Sequence, residues 1–277
     1  MNIFKDIISS RNNALVKWAA SLDNKKNREL SRCFFAEGEK LSIEALSAHL
    51  PVTHIFIEEK KRDEFLNKIS KFLDDKFFCD TKVVVLSEGA FEKISTETSP
   101  QGIICVIKYL DFFNNIDIIY KEEFFLAENE RAIILSSLRD PGNLGSVIRS
   151  AVAFGVDHII VTADSADLYN PKTVRSAMGS LFRVKISKVS DLNSCIEVLM
   201  ELGRNVYAAE LSEKAKPLSA VSFSGRDIVI IGNEGHGIPK EISDKCTGSL
   251  YIPISKKTES LNASVAAAIF MWEQNKL

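Results

Sequence analysis

Histidine, tryptophan and proline are scarce in this 277-residue sequence, at four, two and seven residues, and several functional signatures are missing altogether. There is no G-x-x-x-x-G-K-[ST] phosphate loop and no G-x-S-x-G nucleophile elbow. The five cysteines, Cys33, Cys79, Cys105, Cys195 and Cys246, are widely spaced and include no C-x-x-C pair. An odd, scattered set argues against a disulfide framework and a zinc site; it suggests buried reduced thiols and no bound metal. His49 and His54 are five apart, off a shared helical face, and His158 and His236 lack the neighbours of a catalytic triad. No apolar run approaches the ~20 residues of a membrane span. The opening MNIFKDIISSRNN lacks the apolar centre of a secretory signal, so a cytoplasmic protein is expected. Net charge is −2, which excludes a polycation; any nucleic-acid contact must come from a local patch.

What is present is an ordinary globular composition, 26% charged and 45% hydrophobic, on a chain long enough for one large domain or two modest ones. A helix is expected over residues 13–30, with Leu15, Trp18, Ala19 and Leu22 apolar. From Arg11 to Arg32 six basic residues face two acidic ones. Charge alone leaves two readings of Arg11, Lys17, Lys25, Lys26 and Arg28: a solvated helix face or a phosphate-contacting arm. Strands and helices then alternate to a strand at 103–108, implying a small α/β unit over residues 1–110. Residues 111–130 hold six acids and one lysine without clear periodicity, and read as an interdomain linker. Alternation restarts at 131 and continues to 277, in a second α/β domain.

Three loops of that domain collect the chemically suggestive residues. The first is Asn143-Leu144-Gly145-Ser146-Val147-Ile148-Arg149. Asn143 is placed to cap the helix it opens, and Arg149, one turn beyond Gly145, leans back over the glycine. Arg149 is either an anion-holding group or a surface ion-pair residue. The second loop, Gly232-Asn233-Glu234-Gly235-His236-Gly237, follows an apolar strand at 228–231. Its glycines permit a tight turn or a close approach to a ligand. The third, Thr258–Ser264, leads into a helix rich in small residues; Ser260 is placed to cap it and so present free N–H groups.

The order and spacing of these segments resemble the SpoU (TrmH-type) RNA ribose methyltransferases of the SPOUT superfamily. The family's N-x-G-x-x-x-R appears as Asn143, Gly145 and Arg149 within RDPGNLGSVIRSAVAFG. Its second motif appears as IIGNEGHGI and its third as IPISKKTESLNASVAAAI, with Ile252, Pro253, Ser260, Leu261 and Asn262. PKTVRSAMGSLFRV is similar to the family's middle segment. FFAEGEKLSIEAL and SPQGIICVIK are similar to its N-terminal RNA substrate-binding domain.

The resemblance implies an α/β fold class: a C-terminal SPOUT α/β knot, a trefoil-knotted parallel sheet, with a smaller N-terminal α/β substrate-binding domain. It implies S-adenosylmethionine as cofactor, held by Gly232, Asn233, Gly235, Ile252 and Leu261. It also implies a homodimer and transfer of a methyl group to a ribose 2′-OH. Arg149, Asn143, Glu234, Ser260 and Asn262 would surround the reaction. Arg149 is implicated in taking up the hydroxyl's proton; because a guanidinium keeps its own proton at neutral pH, the alternative is that Arg149 only holds the target phosphate and orients the 2′-OH. The implied substrate is RNA, because DNA lacks the 2′-OH, and the basic arm becomes its contact. Large-subunit ribosomal RNA is favoured. Transfer RNA is one alternative, and a non-catalytic RNA-binding or ribosome-assembly protein on the same fold is the other.

Overall fold

The computed structural model describes residues 1–4, 6–110, 113–116, 126 and 130–276. They form two units, one of Met1–Leu110 with Asp167–Phe182, the other of Asp111–Ala166 with Arg183–Leu277. Most of the linker expected at 111–130 lies outside the described residues.

The first unit contains β1 (Asn2–Ile3), α1 (Ala14–Ser21), α2 (Lys25–Ser31), β2 (Cys33–Glu37), α3 (Glu39–Ser47), β3 (Val52–Glu58), α4 (Arg62–Leu73), β4 (Lys82–Leu86), α5 (Glu88–Ile94) and β5 (Ile103–Lys108). Its sheet runs β1-β4-β3-β5-β2. The first three strands are parallel, and β5 is antiparallel to both β3 and β2. The single helix expected over 13–30 is broken into α1 and α2. Asn24 Oδ1 accepts from the Lys26 N–H at 2.9 Å and restarts the helix there. In Leu22-Asp23-Asn24 short polar side chains compete for the backbone groups that a continuous helix would use.

The second unit begins with β6 (Phe113–Ile116), β7 (Ala132–Leu135), α6 (Pro141–Ala153) and β8 (His158–Thr162). After α7 (Pro171–Ala177), which belongs to the first unit, come β9 (Lys185–Val189), α8 (Leu192–Glu201), β10 (Val206–Ala209), β11 (Lys216–Pro217), β12 (Ile228–Ile231), α9 (Lys240–Ser243), β13 (Gly248–Tyr251) and α10 (Ala263–Gln274). The sheet order is β11-β13-β10-β12-β7-β8-β9-β6, parallel throughout. The strand β6 falls inside the expected linker; four residues on a sheet edge are too few to show a period.

Strands β7, β8 and β12 are fully buried, as a parallel sheet covered on both faces requires. One face is filled by Ile134, Ile160, Cys195, Ile196, Leu199, Ile228 and Ile230. Helix α6 buries Leu144, Gly145, Val147, Ile148 and Ala151, and α10 packs along it.

Strand direction has a functional consequence. Every strand of a parallel sheet ends on the same edge, so the loops after β7, β10, β12 and β13 gather there. From β7 the chain first builds outward through β8 and β9, then returns to lay β10, β12 and β13 on the other side. The reversal falls between β7 and β12, and open α/β sheets bind their ligands outside the strand ends at such a point.

Segment 167–182 groups with the first unit, although the strands on either side of it in sequence, β8 and β9, lie in the second. Its attachments there are specific. Asp167 pairs with Arg28 at 2.5 Å, and the Tyr169 ring stacks on Tyr109 at 3.9 Å. The Tyr169 hydroxyl accepts from the Leu110 N–H at 2.8 Å. The pairing expected of Asn170 and Pro171, as cap and first residue of α7, is present.

Candidate functional site

The loop after β12 turns back on itself. The Asn233 N–H donates to the Gly237 carbonyl, and the Gly237 N–H to the Asn233 carbonyl, each at 3.0 Å. Two of its glycines are required, for different reasons. A Cβ at Gly232 would lie 2.5 Å from the Gly237 carbonyl carbon, and Gly237 has φ +67. Gly235 has neither constraint. Asn233 Oδ1 accepts from the N–H groups of Gly235 and His236 at 2.9 and 3.1 Å, while its Nδ2 donates to the Ser137 carbonyl at 2.8 Å. Ser137, just past β7, adopts φ 56, unusual for a residue with a Cβ. Its N–H donates to Thr162 Oγ1 at 2.8 Å, which anchors the turn that receives Asn233.

Two cap assignments differ from expectation. Asp140, not Asn143, caps α6, its Oδ1 accepting from the Asn143 N–H at 2.8 Å. Asn262, not Ser260, caps α10, its Oδ1 accepting from the Ser264 N–H at 2.9 Å. Both corrections free a side chain for another task, and together they fix a direction. With its oxygen committed to the helix, Asn262 turns Nδ2 outward and donates to Asn143 Oδ1 at 3.0 Å. Asn143 Nδ2 then donates to Glu234 Oε1 at 2.9 Å. A single hydrogen-bonded chain thus joins the three loops singled out from sequence and ends on a carboxylate.

Beside it lies a cleft of about 450 Å³ at the ends of β10, β12 and β13. Every expected cofactor residue lines it: Gly232, Asn233, Gly235, Ile252 and Leu261. So do Glu234 and Ser260. Asn143, Asn262 and Arg149 do not. Arg149 is exposed on α6 and makes no ion pair or hydrogen bond with any described residue. Sequence reasoning missed Ala209, Glu210 and Leu211 at the end of β10, together with Tyr251, Ile254, Glu259 and Phe270. The run Ala209-Glu210-Leu211 carries no motif; only its place at a strand end marks it.

In the first unit, Arg11, Lys17 and Lys93 line a concave surface of about 520 Å³ with Asn12 and Ser21. Lys93, on α5, was not expected there. Arg11 is partly engaged, its Nε donating to the Gly89 carbonyl at 2.7 Å and its Nη2 3.2 Å from Glu92. Lys25 and Lys26 are exposed. Arg28 is not a surface residue. It is 1% exposed, donates to the carbonyls of Leu22 and Asp23 at 2.8 and 2.6 Å, and pairs with Asp167. Its expected part in RNA contact is therefore withdrawn: it holds the α1–α2 corner and segment 167–182 together.

Cys33, Cys105 and Cys195 are buried and Cys246 half-buried, but Cys79 is exposed, contrary to the expectation for all five. Burial pushes the thiols of Cys105, Cys195 and Cys246 up to about 12. Among the described residues no cluster of three metal-ligating side chains occurs, and no helix is long and apolar enough to cross a membrane.

A parallel α/β domain with a glycine-built turn and a helix cap tied together over a cleft at its strand ends has the small-molecule site of an open α/β sheet. Comparison with known proteins specifies the family. Residues 130–272 match the SpoU rRNA methylase family, and residues 13–105 match the MRM3-like substrate binding domain. The chain is 32% identical over 268 residues to the 23S rRNA (guanosine(2553)-2′-O)-methyltransferase RlmP of Bacillus subtilis, covering 97% of this chain and 98% of that one. It is 29% identical to the 23S rRNA (guanosine-2′-O-)-methyltransferase RlmB of Acinetobacter baylyi, over 84% of this chain and 93% of the relative. An AdoMet-bound rRNA methyltransferase from Sinorhizobium meliloti superposes with a TM-score of 0.82 at 26% identity, covering 98% and 97% of the two chains. This chain belongs to the SpoU rRNA methylase family.

Proposed function

We propose that the protein transfers a methyl group from S-adenosylmethionine to one ribose 2′-OH of large-subunit ribosomal RNA. The observation that carries this reading is the Asn262–Asn143–Glu234 chain, which binds the three motif loops into one structure beside the cleft. The full-length similarity to named 23S rRNA 2′-O-methyltransferases supports the substrate.

The cleft suits the cofactor. Its volume is in the range of small-molecule sites, and its wall holds the Gly232 position where only hydrogen fits. When bound, the cofactor supplies an electrophilic methyl group. The chain's own residues supply alignment and a route for the proton. Gly232, Asn233, Gly235, Ile252 and Leu261 form the cofactor wall. Asn143 and Asn262 are occupied with each other and with Glu234, so they hold loops in place and fix the carboxylate. Arg149, exposed and without an internal partner, holds the phosphate beside the target ribose and orients the 2′-OH. Ser260 lines the cleft.

Within this reading residues 1–110, with segment 167–182, form the RNA-binding domain, and residues 131–277 outside that segment form the catalytic domain, whose sheet also takes β6 from the stretch 111–130 read as a linker. The exposed Arg11, Lys17, Lys25, Lys26 and Lys93 contact RNA phosphates. In this reading the chain of the catalytic domain is knotted; the return of the chain after β13 to pack α10 on α6 and β12 supports this. The protein is a cytoplasmic homodimer; half-exposed Val265 and Trp272 on α10 support a partner surface there. The test is a map of 2′-O-methylation in ribosomal and transfer RNA from cells with and without the protein. One ribosomal site should disappear with the protein. Loss of a transfer-RNA site instead, or no change in either, would refute the assignment.

A further inference from the structure

Glu210 stands where β10 leaves the sheet and enters the cleft wall. Its N–H donates to the Leu250 carbonyl at 3.0 Å, and Ser249 Oγ donates to its Oε1 at 2.7 Å. The side chain is half-buried, and among the described residues no lysine, arginine or histidine pairs with it. A carboxylate fixed in place, partly removed from water and left without a cation is unfavourable unless a ligand supplies the charge. Glu234 and Glu259 line the same cleft, and no lysine, arginine or histidine does. The field that a ligand meets is therefore that of an anion.

We propose that Glu210 determines which form of the cofactor the cleft prefers, selecting S-adenosylmethionine over its demethylated product, S-adenosylhomocysteine. This rests on the methyltransferase reading above. Before transfer the ligand carries a positive sulfonium. Afterwards the methyl group sits on the ribose oxygen, the electron pair of the broken C–S bond is on sulfur, the product is a neutral thioether and the hydroxyl proton has passed to water. Adenine, ribose and the amino-acid portion are the same in both forms, so their contacts cancel in the ratio of the two dissociation constants. The attraction between a carboxylate and the sulfonium does not cancel. Two opposite unit charges roughly 7 Å apart at an effective dielectric of about 20–40 attract by an amount equal to roughly five- to fiftyfold in affinity, which sets the scale of the effect. Losing that attraction at the moment of transfer favours release of product.

The experiment is calorimetric titration of the full chain with each ligand separately, for the native protein and the variants E210Q, E210D and E213Q. The native protein should prefer S-adenosylmethionine by about fivefold or more. E210Q, which keeps an acceptor for Ser249, should lower that preference about fivefold, chiefly by weakening S-adenosylmethionine. E210D, which keeps the charge, should retain most of it. E213Q removes an exposed carboxylate that does not line the cleft and should change the ratio less than about twofold. Equal native affinity for the two ligands, or equal weakening of both by E210Q, would overturn the proposal while leaving the methyltransferase reading intact. A native protein that binds neither ligand would overturn both.

Discussion

Asn143 Nδ2 lies 2.9 Å from Glu234 Oε1, and that bond joins the first turn of α6 to the loop after β12. Its direction is inherited from the cap of α10, because Asn262 must keep its oxygen on the helix N–H groups. The arrangement predicts that N143A loosens both loops and lowers methylation by about a hundredfold, the usual penalty for ångström-scale misplacement of reacting groups. N143D should be worse than N143A, because it sets a second carboxylate against Glu234 and forfeits the donor. Turnover of the two variants on ribosomal RNA checks the order; an N143D enzyme more active than N143A would contradict it.

Arg149 has no internal partner to lose. R149A should therefore change the unfolding free energy by no more than about 0.5 kcal/mol and leave cofactor affinity unaltered, while methylation is abolished. Denaturation, calorimetry and methyl incorporation on one preparation separate the three effects. Full activity in R149A would remove Arg149 from the reaction.

Arg28 and Lys17 occupy the same basic stretch and should behave oppositely. R28A strands Asp167 beside the buried α1–α2 corner and should destabilise the first unit by about 3–5 kcal/mol. K17A and K93A should leave stability intact. Each should weaken RNA binding uniformly across sequences and reduce the slope of log K against log salt by roughly 0.7–0.9 for every phosphate no longer neutralised. Filter binding over a salt series reads this directly, and an unchanged slope in both variants would place the RNA elsewhere.

His54 and His158 give the fold a defined acid limit. Burial pushes both imidazoles down to about 4, from an ordinary value of 6.5. The unfolded chain therefore takes up protons before the folded one does. Stability is fully present above pH 6.5 and falls as the pH drops from 6.5 toward 4, by up to about 1.4 kcal/mol per pH unit for each histidine. Thermal melts across this range should show the slope, and H158Q should remove part of it.

Much of this was legible in the sequence. The resemblance carried by the three motif loops grouped residues distant along the chain; of these Asn143, Glu234 and Asn262 are hydrogen-bonded in one chain, while Arg149 does not line the cleft. What was not legible depended on partners far away in sequence. Arg28 reads as one cation among six until Asp167 is placed beside it. Asn143 and Ser260 each suit a helix cap, but Asp140 and Asn262 take those positions, and propensity cannot choose between neighbours of similar capping strength. Glu210 and Ser137 carry no motif. They matter because parallel strands end on a common edge, which is a property of the sheet order. The break at Leu22–Asn24 was hidden because residues 23–29 include no apolar residue whose spacing could mark where one helix ends and the next begins.

Transfer of a methyl group to a ribose 2′-OH is tested most directly through the chemistry of that hydroxyl. Large-subunit ribosomal RNA from cells lacking the protein is incubated with the purified chain and S-adenosylmethionine labelled in the methyl group, then hydrolysed in alkali. Alkaline cleavage needs a free 2′-OH, so a methylated ribose protects its own phosphodiester. All incorporated label should appear in one alkali-resistant dinucleotide. Label released in mononucleotides, which would place the methyl group on a base, or no incorporation at all, would contradict ribose methylation by this protein.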